Sequence, residues 1–200
     1  MDKDWVIWVN HSLAHPWADA IFNGLSSKWG FGLPLALGIC LFLVWRYRRA
    51  GLKLALMLVM TLVVADGVGG IIKLAAPQPR PCSEVYTQLR HVAVQLGPCE
   101  DYHSGMPSNH TLNFFVLFMF VTWLWRSWLW GSVLLTLALG VALSRVYLGM
   151  HYPSQVCVGA LLGMAAGWVS ALLALRFSQS ARALRPVGRV KAPPVATLKS

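Results

Sequence analysis

Lys73, Arg80 and Arg145 supply three cations, and His110 and His151 two titratable rings, all at or beside the ends of apolar runs. Ionisable groups so placed are costly to keep, which makes them candidates for function rather than packing. With the dipeptide Ser108-Asn109 just before His110, at the start of an apolar run, they suit a bound phosphate. Cations neutralise the anion, while the free N–H groups and dipole of a helix N-terminus add donors. The chemistry this implies is cleavage of a phosphate ester. One imidazole can attack phosphorus and the other can protonate the departing oxygen, because imidazole changes protonation most readily near neutral pH. Residue types alone leave open which histidine takes which part.

The elements that must bring these groups together are membrane helices. Of 200 residues, 56% are hydrophobic and only 12% charged, against the roughly one-quarter charged share of an ordinary soluble domain. Apolar runs over Trp29–Trp45, Leu54–Ile72 (interrupted by Asp66), Ser104–Trp125, Ser127–Ser144 and Val156–Leu175 predict five spans, at about 20 residues per crossing. The fold class expected is therefore an all-α integral membrane bundle, with a sixth span possible. The first 28 residues, with Trp5, Trp8, Trp17, Ile21 and Phe22 set among polar groups, read as interfacial amphipathic helices. Asp2 and Asp4 and the shortness of the run Trp5–Val9 argue against a cleavable signal. Residues 1–180 form the expected membrane domain, and 181–200 a basic, disordered tail.

Charge asymmetry orients the chain. Eleven cations (Arg46, Arg48, Arg49, Lys53, Arg126, Arg176, Arg182, Arg185, Arg189, Lys191 and Lys199) fall on one side with no acid beside them, which marks that side as cytoplasmic. The N-terminus and the five chemical groups fall on the other side, the periplasmic face of a bacterial inner membrane. The formal charge of +10 is thus a topology signal with affinity for anionic lipid, and no nucleic-acid partner is expected.

Read as a set, the spacing resembles the three-part signature of the phosphatidic acid phosphatase type 2 superfamily. Lys73, six residues and Arg80-Pro81 come first, Pro107-Ser108-Asn109-His110 second, and Ser144-Arg145, five residues and His151 third. The resemblance covers about Asp66 to Gln155 and is specific because the motifs occur in order and on one face. It implies a phosphatase of membrane lipids that needs no metal or other cofactor. By it, His151 is the nucleophile that forms a phosphohistidine, and His110 is the acid for the leaving group. Lys73, Arg80, Ser108, Asn109, Ser144 and Arg145 hold the phosphate. Asp66, two helical turns before Lys73, is a candidate partner behind the cationic cluster.

Two positions depart from the family pattern. Gln155 stands four residues after His151, where an aspartate is usual. Its amide oxygen can accept the Nδ1 proton but cannot stabilise imidazolium by charge, and a flipped amide would favour the other tautomer. Asn109 replaces a common glycine and adds a side chain able to donate to phosphate or narrow the pocket. Undecaprenyl pyrophosphate is the expected substrate, with other lipid phosphates behind it. The alternatives are lipid phosphotransfer and, because of Gln155, an impaired relative that only binds lipid phosphate.

Cys82 and Cys99 share the loop between the second and third spans, whereas Cys40 and Cys157 lie in spans. In an oxidising compartment the first pair is a disulfide candidate, contributing roughly 3 kcal/mol by the loop-entropy model. A zinc site from these two with His91 and His103 matches no standard spacing. Oligomeric state is not legible in the sequence.

Overall fold

The computed structural model describes residues 1–90, 92 and 104–177. Cys99, the residues around it and the basic tail lie outside them. Two short helices open the chain, α1 (Asp2–Ser12) and α2 (Pro16–Ser26). Asp2 and Asp4 in the first turn of α1 and His11 in its last suit the helix dipole. Pro16 starts α2 at a position needing no N–H, and the His15 ring accepts from Trp17 N. A π-helical turn over Lys28–Gly32, capped by Ser27 Oγ on Gly30 N at 2.9 Å, leads into α3 (Leu33–Tyr47).

Four long apolar helices follow from the hydropathy pattern. The stretch Lys28–Tyr47, α4 (Arg49–Ala75), α7 (Trp128–Tyr147) and α8 (Pro153–Phe177) are each long and apolar enough to cross a membrane. The short α5 (Pro81–Glu84) lies in the loop after α4. The remaining predicted span is α6 (Asn109–Trp125), 17 residues at the centre of the bundle, about 25 Å long. It starts at Asn109 rather than Ser104, because the carbonyls of Ser104, Gly105 and Pro107 are taken by side chains of the site. Among the described residues the only extended pairing is one bridge, Gln78 with Ser104.

Backbone proximity sets the register that matters for the site. Gly159, Gly163 and Gly167 form one stripe of α8, and a Cβ there would lie 2.6, 2.2 and 2.7 Å from the carbonyls of Ser108, Leu112 and Val116. Small residues at such intervals let two helices touch without a cavity or a kink. The start of α8 is thereby locked beside the start of α6, where Ser108 N bonds to Gln155 O at 3.1 Å. Farther along, Thr61 Oγ1 of α4 and Ser170 Oγ of α8 are 2.6 Å apart. The core between α3, α4, α6 and α8 holds Leu43, Leu54, Leu58, Val116 and Phe120, all essentially inaccessible.

The N-terminal helices do more than lie in an interface. Val6 and Val9 of α1 are buried against Val146 and Tyr147 of α7. Asn10 ties three segments together, donating to Tyr147 O at 2.8 Å and accepting from Arg90 N at 2.7 Å. Arg90 makes a two-armed pair with Asp19, and the Tyr147 hydroxyl completes the group. Arg90 holds the Asp19 carboxyl down at about 2. Trp5, Trp8 and Trp17 remain exposed, consistent with an interfacial outer surface.

Candidate active site

His151 sits in the five-residue link between α7 and α8, where Gly149 takes φ +65°. A side chain at Gly149 would be strained there and would also meet Leu89. The N–H groups of Met150 and His151 both bond back to Arg145 O, at 3.0 and 3.1 Å. His151 and Arg145 are thus tied through one backbone segment. The His151 ring is buried, with Nδ1 2.8 Å from Gly105 O and 3.3 Å from Gln155 Oε1. Both partners can only accept, so Nδ1 carries the proton and Nε2 keeps its lone pair.

Gln155 resolves its own orientation. Its Nε2 is 2.8 Å from Pro79 O, which needs a donor, and its Oε1 is 3.1 Å from Tyr152 N, which needs an acceptor. A flipped amide would oppose oxygen to oxygen and nitrogen to nitrogen. The amide oxygen therefore faces His151, and the same side chain links α8 to the loop before Arg80. Gly105 packs into this link: a Cβ there would be 2.4 Å from Gln155 Nε2.

The first and second motifs meet through backbone oxygens. Lys73 Nζ donates to Ser104 O at 2.8 Å and Pro107 O at 2.7 Å, and Arg80 Nη2 donates to Ser104 Oγ at 2.8 Å. Ser108 is fully buried; its N–H bonds to Gln155 O at 3.1 Å and its hydroxyl accepts from Thr111 Oγ1. Arg145 is 5% exposed, donates through Nη1 to Ser26 Oγ, and has a buried Nε with no hydrogen-bond partner among the described residues. Among the described residues no carboxylate lies within ion-pair distance of it. Burial pushes the His151 pKa well below its ordinary value, and the charges of Arg145, Arg80 and Lys73 add to the push. Both influences favour the neutral ring. The charges of Arg145 and Arg80 also act on His110.

Three expected residues are engaged differently. Asn109 turns its amide to Asp66, whose Oδ1 accepts from Asn109 Nδ2 at 3.0 Å and Asn113 Nδ2 at 3.1 Å. Asp66 thus stands behind two asparagines of α6. Ser144 gives its hydroxyl proton to Val141 O at 2.7 Å, within its own helix. Sequence reasoning did not single out Ser26, Ser104, Gly105 or Asn113. Asn113 had a legible signal, four residues after Asn109 on the same helical face. Ser26 had none, being 119 residues from its partner.

Cys82, beside the Arg80-Pro81 turn, is buried and disulfide-bonded. Its expected partner Cys99 lies outside the described residues.

A buried imidazole with a defined tautomer, ringed by cations at one end of a membrane helical bundle, defines a phosphate-handling membrane protein. Residues 50–179 match the PAP2 superfamily, and the chain belongs to that family. Two relatives are similar over 65% of this chain and 60% of their own length. YbjG of Escherichia coli (strain K12), whose name proposes an undecaprenyl-diphosphatase, is 34% identical over 132 residues. The bacitracin transport permease protein BcrC of Bacillus licheniformis is 30% identical over 130. The fold is shared with Aquifex aeolicus LpxE, at TM-score 0.64 and 20% identity over 86% of this chain and 93% of that one. It is shared equally with the PAP2-type phosphatidylglycerolphosphate phosphatase of Bacillus subtilis, at 0.63 and 18%, over 89% and 86%.

Proposed function

We propose that this chain is a phosphatase that removes the terminal phosphate of a lipid diphosphate, undecaprenyl diphosphate first, at the periplasmic face of a bacterial inner membrane. The observation that carries this reading is the buried Arg145 guanidinium, beside which no carboxylate stands among the described residues, fused through its backbone to a neutral His151. A buried cation without a counter-charge is expensive, and a phosphate dianion relieves the cost. The name of the E. coli relative supports a diphosphate lipid as substrate.

The lone pair of His151 Nε2 attacks the terminal phosphorus, forming an N–P bond as the bridging P–O bond breaks. His110 gives its proton to the departing oxygen of the lipid phosphate. Water then attacks the phosphohistidine and passes a proton to His110, and inorganic phosphate leaves with His151 restored. Arg145, Arg80 and Lys73 serve the charge that spreads over the equatorial oxygens during each transfer. Gln155 and Gly105 keep the Nδ1 proton in place, so the Asp-to-Gln departure preserves tautomer control without charge.

The test is phosphate release by purified protein from polyprenyl diphosphate and phosphatidate, with EDTA present. Wild-type turnover that His151→Ala abolishes, with a phosphoenzyme trapped by acid quench, is the expected result. Turnover that survives His151→Ala overturns the mechanism, and a wild type inactive on every lipid phosphate overturns the function. For orientation, single cysteines at Lys3 and Arg48 should label with an impermeant maleimide only at Lys3 in intact cells; the reverse pattern overturns the periplasmic assignment.

A further inference from the structure

The N-terminal segment reaches the site at a point the three motifs do not cover. Ser26 ends α2 with its hydroxyl against Arg145, and the π turn that follows packs on α6, where Phe31 stacks on Phe114 with ring centroids 5.7 Å apart. Phe114 lies about one helical turn beyond His110, and Lys28 lies three residues before Phe31, so the turn carries Lys28 toward the His110 end of α6. Lys28 is exposed and has no ion-pair partner among the described residues.

The cations divide between the two histidines. Arg80 and Arg145 act on both rings, Lys73 adds its charge at His151, and Lys28 adds its charge at His110. If His151 attacks and His110 protonates the leaving oxygen, the group beyond that oxygen lies on the His110 side. For a monoester that group is an uncharged alkyl or glycerol carbon. For a diphosphate it is a second phosphate.

We propose that Lys28, carried on the turn that Ser26 anchors to Arg145, binds the lipid-proximal phosphate of a diphosphate substrate and favours diphosphates over monoesters. The inference rests on the function proposed above and assigns its specificity to a residue outside the family motifs. A single exposed lysine at a membrane interface is otherwise an anchor for headgroups, and an anchor would treat both substrates alike.

The experiment compares kcat/KM on polyprenyl diphosphate and on phosphatidate for wild type, Lys28→Gln and Lys28→Arg in one detergent. The expected result is a fall of about tenfold in the diphosphate-to-monoester ratio for Lys28→Gln, the size of one lost charge-assisted contact, with most of it recovered in Lys28→Arg. An unchanged ratio overturns the inference and leaves the phosphatase reading standing. Wild-type turnover of phosphatidate with none of the diphosphate overturns both the inference and the substrate assignment. A turnover-independent arm measures thermal protection by methylenediphosphonate against that by inorganic phosphate. Extra protection by the diphosphonate that Lys28→Gln removes supports the inference, and equal protection in the two proteins overturns it.

Discussion

The two ends of the bundle treat cations in opposite ways. At one end Arg46, Arg48, Arg49 and Arg126 stand among Trp45, Trp123, Trp128 and Trp130, all of these tryptophans exposed. At the other, Arg145 is buried and His151 and Gln155 are almost wholly covered. The first arrangement needs only an interface to solvate charge. The second needs walls, which α1, α2 and the 76–90 loop supply through Asn10, the Asp19–Arg90 pair and the Gln155 link to Pro79. A cation in a walled site gains its function from low dielectric and fixed geometry, and substitutions there should cost far more than at the open end.

The largest effect expected is at His151. His151→Ala should cut phosphate release by at least about a thousandfold, read in a steady-state assay, while a detergent melting curve shows a folded protein destabilised by about 1–3 kcal/mol, because Gly105 O loses its donor. Arg145→Ala should follow with a loss of about a hundredfold or more in kcat/KM. Arg145→Lys should recover little, because an ammonium cannot reproduce the guanidinium fork. Losses below about fivefold would erase the contrast between the two ends.

Gln155→Asp sharpens the comparison by adding charge inside the walls. The shorter side chain gives up Pro79 and puts a carboxylate behind His151. The sign follows from the ring's present state, which is held neutral well below its usual pKa by burial and by Arg145, Arg80 and Lys73. A carboxylate favours imidazolium, so the acid limb of the kcat/KM profile should move to higher pH than in wild type. A limb that stays in place would show that Gln155 does not govern the ring. In wild type, protonation of His151 should limit activity only well below pH 6.5.

Smaller effects belong to the walls and the open end. Asp19→Asn should lower stability by about 1 kcal/mol, since the Arg90 pair is about one-third exposed, and the effect should vanish at a pH near 2, where the wild-type carboxylate is itself lost. A detergent melting series across pH reads both. Arg126→Gly should be the mildest: Arg126 has φ 49°, which glycine adopts freely, so stability should change by no more than about 0.5 kcal/mol and activity by less than about twofold. A large loss there would mean that the cavity of about 420 Å³ beside Arg126, Trp123 and Trp128 takes part in function.

The helices, their approximate ends and the gathering of cations at one face were readable from hydropathy and charge, because a membrane leaves a chain of this composition few other folds. The order of the motifs also carried the family. What the one-dimensional pattern could not hold was direction. Asn109 and Ser144 are at motif positions, yet one amide turns to Asp66 and one hydroxyl to its own helix, since a rotamer depends on which neighbour lies within reach. The ambiguity of Gln155 disappears only when Pro79 O and Tyr152 N stand on either side of it. Ser26 enters the site from 119 residues away because α2 packs on α7, a contact set by side-chain shape. Residue type and spacing determined which chemistry this chain can carry and at which end of the membrane bundle. Tertiary packing alone decided which atoms each of these side chains meets, because hydrogen-bond direction and burial are properties of neighbours in space, not of neighbours in sequence.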